Sequence, residues 1–131
     1  MKIINRDVDY AARALVFMAR ANKPTVSVKQ MQDQVGVAGP FLRKILQKLH
    51  KAGILQAVKG KGGGFTLARA PENITLSQLI AVLQGPLKLS DCIFRQKLCQ
   101  NHGACLLRHK LAAIETRLLA EVEGVTVKDL L

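Results

Sequence analysis

The stretch SVKQMQDQVG at residues 27–36, followed by GPFLRKILQKLHKAG at residues 39–53, decides the fold. Ser27 suits the N-cap of a short helix that Gly36 closes, and Pro40 suits the first turn of a second helix. The second helix carries an apolar stripe at helical spacing, formed by Phe41, Leu42, Ile45, Leu46 and Leu49. Two helices joined by a tight turn, the second with a basic outer face, predict a helix-turn-helix.

A glycine-rich hairpin follows the second helix. Residues 54–59 and 65–69 have the composition of two short strands, and GKGGG at residues 60–64 provides a flexible turn between them. The pattern GxxxxGK[ST] is absent and no helix begins after the glycines, which disfavours a nucleotide-phosphate loop. The segment therefore predicts a β-hairpin wing with Lys59 and Lys61 at its tip.

Three further helices are predicted on either side of this unit. The first spans about Asp7 to Ala21, with Asn5 or Asp7 as its cap, and the second is TLSQLIAVLQG, capped by Thr75. A long helix follows from about Ala104 to Glu123. Its apolar residues recur at heptad-like intervals, at Leu107, Leu111, Ile114, Leu118 and Val122. A long stripe of this kind favours a homodimer, and we expect Leu111, Ile114 and Leu118 to form its seam.

The predicted fold class is mainly α, a winged helix-turn-helix with a long C-terminal dimerisation helix. We assign the winged domain to residues 1–85 and a cysteine-bearing loop to residues 86–105. Residues 106–131 would hold the dimerisation helix and a final turn capped by Thr126.

Positive charge is concentrated in the first two-thirds of the chain. Of the formal net charge of +11, residues 1–90 contribute +10, from fourteen Lys and Arg against four Asp and Glu. Residues 34–71 hold seven basic residues and no acidic one. Such a local excess indicates a polyanionic partner, most simply double-stranded DNA.

The basic residues of the second helix suit different contacts with DNA. We expect Arg43 to read a guanine edge, because its guanidinium can bond to two acceptors at once. Lys44, Lys48 and Lys51 are spaced along one face and would hold phosphates, with Gln47 beside them. Lys59 and Lys61 would reach the neighbouring minor groove.

The chain has three cysteines, Cys92, Cys99 and Cys105, all within fourteen residues. Three thiols cannot all pair as disulfides, and the spacing lacks the close pairs typical of zinc sites. Cysteine-rich loops of this kind can hold an iron–sulfur cluster, which is ligated mainly by thiolates. Spacing alone leaves open the alternative of three unrelated thiols, at least one of them buried.

Other classes of protein are disfavoured. The longest apolar runs are too short to span a membrane, and the N-terminus MKIINRDVDY lacks the apolar core of a signal peptide, so we expect a cytoplasmic protein. His50, His102 and His109 fall on separate elements or in a loop, without a nucleophile–base pattern, so we do not expect an enzyme. The basic helix-turn-helix disfavours a small electron carrier.

Five stretches together resemble one family, that of the iron–sulfur-assembly regulator IscR and the nitric-oxide-sensing repressor NsrR. They are DYAARAL at residues 9–15, FLRKILQKLHKAGIL at 41–55, VKGKGGGFTLAR at 58–69, NITLSQLIAVLQG at 73–85, and the three-cysteine loop. The resemblance covers nearly the whole chain. It implies a homodimeric transcriptional regulator that binds an operator DNA under control of a [2Fe–2S] or [4Fe–4S] cluster.

The resemblance also implies which residues hold the cluster. Cys92, Cys99 and Cys105 match the three cysteine ligands, and Asp9 matches the carboxylate that the partner subunit donates in the NsrR branch. In the IscR branch a His stands three residues after the last Cys, where this chain has Arg108. His109, one place further on, and His102 are the alternative fourth ligands. The alternative function is a cluster-free regulator of the same fold in which two cysteines oxidise to a disulfide.

Overall fold

The computed structural model describes residues 3–89 and 105–131. In chain order the elements are α1 (Arg6–Ala21), α2 (Val28–Val35), α3 (Gly39–Lys51), β1 (Leu55–Val58), β2 (Gly64–Leu67), α4 (Leu76–Leu83) and α5 (Leu106–Glu123). Short 3₁₀ turns lie at Pro71–Asn73 and Val127–Leu130. The predicted architecture, helices with a two-stranded antiparallel hairpin, is confirmed.

Helices α1, α2 and α4 begin where side-chain caps place them. Asn5 Oδ1 accepts a hydrogen bond from the Val8 N–H at 3.0 Å and so caps α1. Ser27 with Gln30 and Thr75 with Gln78 form reciprocal capping boxes at the starts of α2 and α4. Helix α2 ends at Gly36, which has a φ of 75° and so favours glycine. The helix-turn-helix therefore forms for the reasons the sequence indicated.

The wing is attached to the helix-turn-helix as well as to itself. β1 and β2 pair antiparallel, with Val58 opposite Gly64 and Leu55 opposite Leu67. Val26, just before α2, exchanges two backbone hydrogen bonds with Phe65, at 3.0 and 2.9 Å. Because a Cβ on Gly64 would lie 2.2 Å from the Val26 carbonyl oxygen, only glycine permits this approach.

A single hydrophobic cluster joins α1 to α5. Helix α3 contributes Leu42, Ile45, Leu46 and Leu49, all fully or almost fully buried. Phe41, which the sequence placed in the same stripe, is instead 38% exposed, and its ring packs against Tyr10 of α1. The apolar stripe of α3 is therefore narrower than predicted.

The C-terminal segment returns to the core. Beyond α5, the Val127 N–H donates to the Ile74 carbonyl at 2.9 Å, and the Leu76 N–H donates to the Val125 carbonyl at 2.8 Å. Val122 and Val127 are buried in the same cluster as α1–α4. The end of α5 is thereby fixed to the winged domain. The boundaries at residues 85 and 106 stay a prediction.

The apolar stripe of α5 changes surroundings along the helix. Leu118 and Leu119 pack partly against the core, whereas Leu106, Leu107 and Ile114 are 77%, 67% and 50% exposed. The N-terminal half of α5 thus presents apolar side chains to solvent.

Candidate nucleic-acid interface and metal centre

Helix α3 presents a basic face to solvent. Its buried residues lie on one side, and the predicted DNA-contacting residues Arg43, Lys44, Gln47, Lys48 and Lys51 are all exposed on the other. The only ion pair among the described residues lies on α1. None of the α3 cations is therefore paired with a carboxylate in the described part of the chain. An exposed helix face with unpaired positive charge suits the phosphates and base edges of a major groove.

The wing tip presents the other predicted cations. Lys59 and Lys61 are exposed on either side of Gly60, whose φ of 96° gives the tip its reverse turn. The Gly63 N–H donates to the Gly60 carbonyl at 3.0 Å and closes that turn.

A contact between side chain and backbone relates the wing to α3. His50 Nδ1, near the end of α3, hydrogen-bonds the Leu55 carbonyl at the start of β1, with the two atoms 3.1 Å apart. This hydrogen bond fixes the position of the wing relative to the basic face of α3. A protein that contacts two adjacent DNA grooves needs such a fixed geometry.

Asp9, the predicted fourth ligand, lies in the first turns of α1 with its side chain 41% exposed. Its carboxylate accepts from Arg13 Nε at both oxygens, at 3.2 and 3.1 Å. Sequence reasoning did not single out Arg13, although an Asp–Arg pair four residues apart on a helix is a recognised signal. As a ligand, Asp9 would have to give up part of this ion pair.

Cys105 lies immediately before α5 and is half-buried. Its carbonyl accepts from the His109 N–H in the first turn, while the His109 side chain is exposed. Cys92, Cys99 and His102 fall outside the described residues. Of the predicted ligands, the structure therefore describes Cys105, Asp9 and the alternative His109.

The segment that leads to the cysteines is also tied to α5. The Leu89 N–H donates to Glu115 Oε2 at 3.1 Å, in the middle of α5. Cys105 adjoins the N-terminus of the same helix. The described residues on both sides of the cysteine segment are thus attached to α5, a relation that sequence reasoning missed because residues 89 and 115 are far apart in the chain.

Arg108 stands where the IscR branch has a histidine. Its Nε is buried and has no hydrogen-bond partner among the residues that the structure describes. A guanidinium is a hydrogen-bond donor only and offers no lone pair to a metal, so Arg108 cannot replace that histidine as a ligand.

The donor chemistry fits an iron–sulfur cluster, but the described part of the chain does not hold a full set of donors. Over residues 3–89 and 105–131, no three His, Cys, Asp or Glu side chains come close enough to hold a metal ion. Three cysteines supply the thiolates that such clusters require, and two of them lie outside these ranges. The chemistry of the donors, rather than an observed arrangement, is what supports the fit.

No helix in the described ranges is both long and apolar enough to cross a bilayer.

A family model described as iron-dependent transcriptional regulators, Rrf2, matches residues 4–131. The chain belongs to the Rrf2 family. It is therefore a transcriptional regulator, a class of protein that acts by binding DNA.

One relative of this Rrf2 protein is the HTH-type transcriptional regulator NsrR of Shouchella clausii (strain KSM-K16). The two are 33% identical over 124 residues, which cover 93% of this chain and 83% of that one.

Solved structures share the fold. CymR, the global cysteine regulator of B. subtilis, matches with a TM-score of 0.82 at 21% identity, over 99% of this chain and 96% of its own. IscR of T. potens matches with a TM-score of 0.76 at 24% identity, over 99% and 85%. At these identities the two structures establish the winged-helix fold alone.

Proposed function

We propose that this Rrf2 protein is a homodimeric regulator whose operator binding depends on an iron–sulfur cluster held by Cys92, Cys99 and Cys105. The observation that carries the proposal is the set of three closely spaced cysteines in a chain 33% identical to an NsrR. Asp9 is the proposed fourth ligand. The proposed signal is redox state, nitric oxide or iron–sulfur status.

DNA binding is proposed to use α3 in the major groove and the wing in the minor groove. The exposed cations of α3, none of which pairs with a carboxylate among the described residues, support this, as does the hydrogen bond from His50 to the start of β1. Arg43 would read a base edge, while Lys44, Lys48, Lys51, Lys59 and Lys61 would contact phosphates and Gln47 would lie beside them.

The protein's own part at the metal centre is to position thiolates and a carboxylate. Because thiolate-bound iron is redox-active, the bound group would supply a redox-sensitive centre. Arg13 would hold the Asp9 carboxylate whenever iron does not, since it already bonds to both oxygens. The Asp9 carboxylate would then have a cationic partner both with and without bound iron.

Helix α5 is the proposed route from the cysteines to the DNA-binding unit. Leu89 is tethered to its middle, Cys105 precedes its start, and its end is packed into the core through Val122. A displaced cysteine segment would pull on a helix that is firmly attached to the winged domain.

The dimer is proposed to form along α5 through Leu111, Ile114 and Leu118, of which Ile114 is exposed and the two leucines are half-buried in the single chain. Leu106, Leu107 and Ile114 are largely solvent-exposed in the single chain, and burial of such side chains favours association. Two recognition helices must reach half-sites roughly 34–36 Å apart, so a small shift between subunits would change affinity.

The alternative function is a thiol sensor of the same fold that carries no cluster. The half-exposed position of Cys105 favours it, because a thiol must be accessible to form a disulfide or a mixed disulfide.

Anaerobic purification separates the two functions. We expect coloured protein with absorbance near ~400 nm from thiolate–iron charge transfer, and stoichiometric iron and sulfide. Cys92→Ala, Cys99→Ala and Cys105→Ala should each give colourless protein. Colourless wild-type protein with oxidant-dependent DNA binding would instead establish the thiol sensor.

A further inference from the structure

The side chain of Gln84 connects the end of α4 to the residues before α1. Its Oε1 accepts from the Asn5 N–H at 2.8 Å, and its Nε2 donates to the Ile3 carbonyl at 3.1 Å. Both ends of one amide are thus bonded to backbone about eighty positions away in the chain. Gln84 directly precedes Gly85, where the chain leaves α4 towards the cysteines. The amide therefore joins this exit to the start of α1.

The start of α1 is held by the same residue that Gln84 contacts. Asn5 is the N-cap of α1, and its side chain accepts from the Val8 N–H at 3.0 Å. Loss of an N-cap interaction typically loosens the first turn of a helix. A shift of Gln84 would therefore be felt in the first turns of α1, which carry Asp9 and Tyr10.

Tyr10 carries the connection to the recognition helix α3. Its ring meets Phe41 edge to face, with the ring centroids 6.0 Å apart and the planes at 89°. Phe41 is the third residue of α3, two positions before Arg43. The N-cap of α3, Ala38, provides no side-chain hydrogen bond, so packing supports that first turn: Leu42 is buried in the core, and Phe41 packs against Tyr10.

We propose that Gln84 and Tyr10 are positioning residues for the recognition helix. They fix the position of the first turn of α3, which carries Arg43. That position would depend on where the chain leaves α4 for the cysteine segment. The path runs within one subunit through Gln84, Asn5, Tyr10 and Phe41, and is separate from the dimer helix. The proposal rests on the proposed function, because it describes a second connection, beside the one through α5, from the cysteine site to the DNA-binding face.

The test compares operator affinity of cluster-loaded and cluster-stripped protein and takes the ratio of the two dissociation constants. Gln84→Met removes both hydrogen bonds at similar volume, and Phe41→Leu removes the aromatic pair at a half-exposed position where folding should survive. Each should reduce the ratio by about 2- to 10-fold, because both changes act through the edge-to-face pair, whose strength sets that range. Because the two changes interrupt one path, the double variant should do no more than the stronger single variant.

Two controls distinguish positioning from general damage. Tyr10→Phe keeps the ring and should keep the wild-type ratio. Phe17→Leu alters another half-buried aromatic residue of α1, one that lines a groove with Val16 and Arg20, and should also leave the ratio unchanged. A ratio that falls equally in Phe17→Leu would show a structural effect of α1 and would overturn the assignment.

Hydrogen exchange in the stripped protein tests the positioning without the cluster. The amides of Leu42 and Arg43 should exchange faster in Gln84→Met and Phe41→Leu than in wild type, while those of α2 should not change. Wild-type ratios together with wild-type exchange in both variants would overturn the inference. If loaded and stripped wild-type protein bind DNA equally, the proposed function fails, and the exchange rates alone then decide whether these residues position α3.

Discussion

Arg13 and Asp9 form an ion pair on α1, in which one nitrogen, Arg13 Nε, lies 3.1 and 3.2 Å from the two carboxylate oxygens. The residue proposed to ligate iron is thus already bound to a cation one helical turn away. An exposed pair of this kind adds only about 0.2–1 kcal/mol to stability. Its importance would lie in its competition with iron for the same carboxylate.

The competition predicts opposite effects for the two partners. Arg13→Ala should slow cluster loss in air, because Asp9 no longer has a second partner, whereas Asp9→Ala should speed it. Decay of the absorbance near ~400 nm measures both rates. Arg20→Ala removes another exposed arginine of α1 and is the control. An Asp9→Ala decay equal to wild type, together with an altered decay in His102→Ala or His109→Ala, would exclude Asp9 as the ligand.

Substitutions on α3 should distinguish residues that contact base edges from residues that contact phosphates. Arg43→Ala should reduce discrimination at one position in each half-site by ~1–3 kcal/mol, because a bidentate contact to guanine is lost. Lys48→Ala should weaken binding to all sequences and make the slope of log K against log salt shallower by about 0.9 per subunit, or roughly 1.8 for the dimer. Salt titrations on specific and random duplexes measure both effects. Equal losses on both duplexes in Arg43→Ala would assign Arg43 to the DNA backbone.

A charge introduced into the proposed dimer seam of α5 should prevent the two subunits from associating. Ile114→Glu would place a carboxylate against its symmetry mate, at a cost of several kcal/mol, so we expect a monomer by sedimentation and loss of specific DNA binding. Thr116→Glu adds the same charge on another side of α5 and should remain dimeric. A dimeric Ile114→Glu protein would place the seam elsewhere. A monomer that keeps a stable cluster would exclude ligation by the partner subunit.

Gly64 should be far less replaceable than Gly60 at the wing tip. In Gly64→Ala the new methyl group would lie 2.2 Å from the Val26 carbonyl oxygen, so the paired hydrogen bonds between Val26 and Phe65 must break. We expect a loss of at least ~2 kcal/mol, measured by urea unfolding. Gly60→Ala has no atom within 4 Å of the new group and bears only the strain of its positive φ, about 1 kcal/mol. Equal losses in the two variants would contradict the close approach.

Much of the fold could be predicted because its signals are local. Ser27 with Gln30 and Thr75 with Gln78 act over three residues, so the starts of α2 and α4 can be read directly from the sequence. The exposure of the basic face of α3 follows from the spacing of its buried leucines and isoleucine. Phe41 was misplaced because periodicity assumes one packing surface, whereas α1 supplies a second one at Tyr10.

The candidate site was less predictable because its connections are long-range. The hydrogen bonds from Leu89 to Glu115 and from Asn5 to Gln84 join residues 26 and 79 positions apart, and a single sequence carries no signal for either. The insertion of Val127 into the core was hidden for the same reason. By contrast, Arg13 stands four residues after Asp9, and helical spacing alone could have identified the pair.

The most direct test of the account is the operator affinity of one anaerobic preparation before and after its iron is removed by a chelator. A duplex selected from random sequence by the loaded protein serves as the operator, and both titrations use the same ionic strength. The account predicts dissociation constants that differ by at least ~10-fold, equivalent to 1.4 kcal/mol of coupling. Equal dissociation constants for loaded and stripped protein would contradict it.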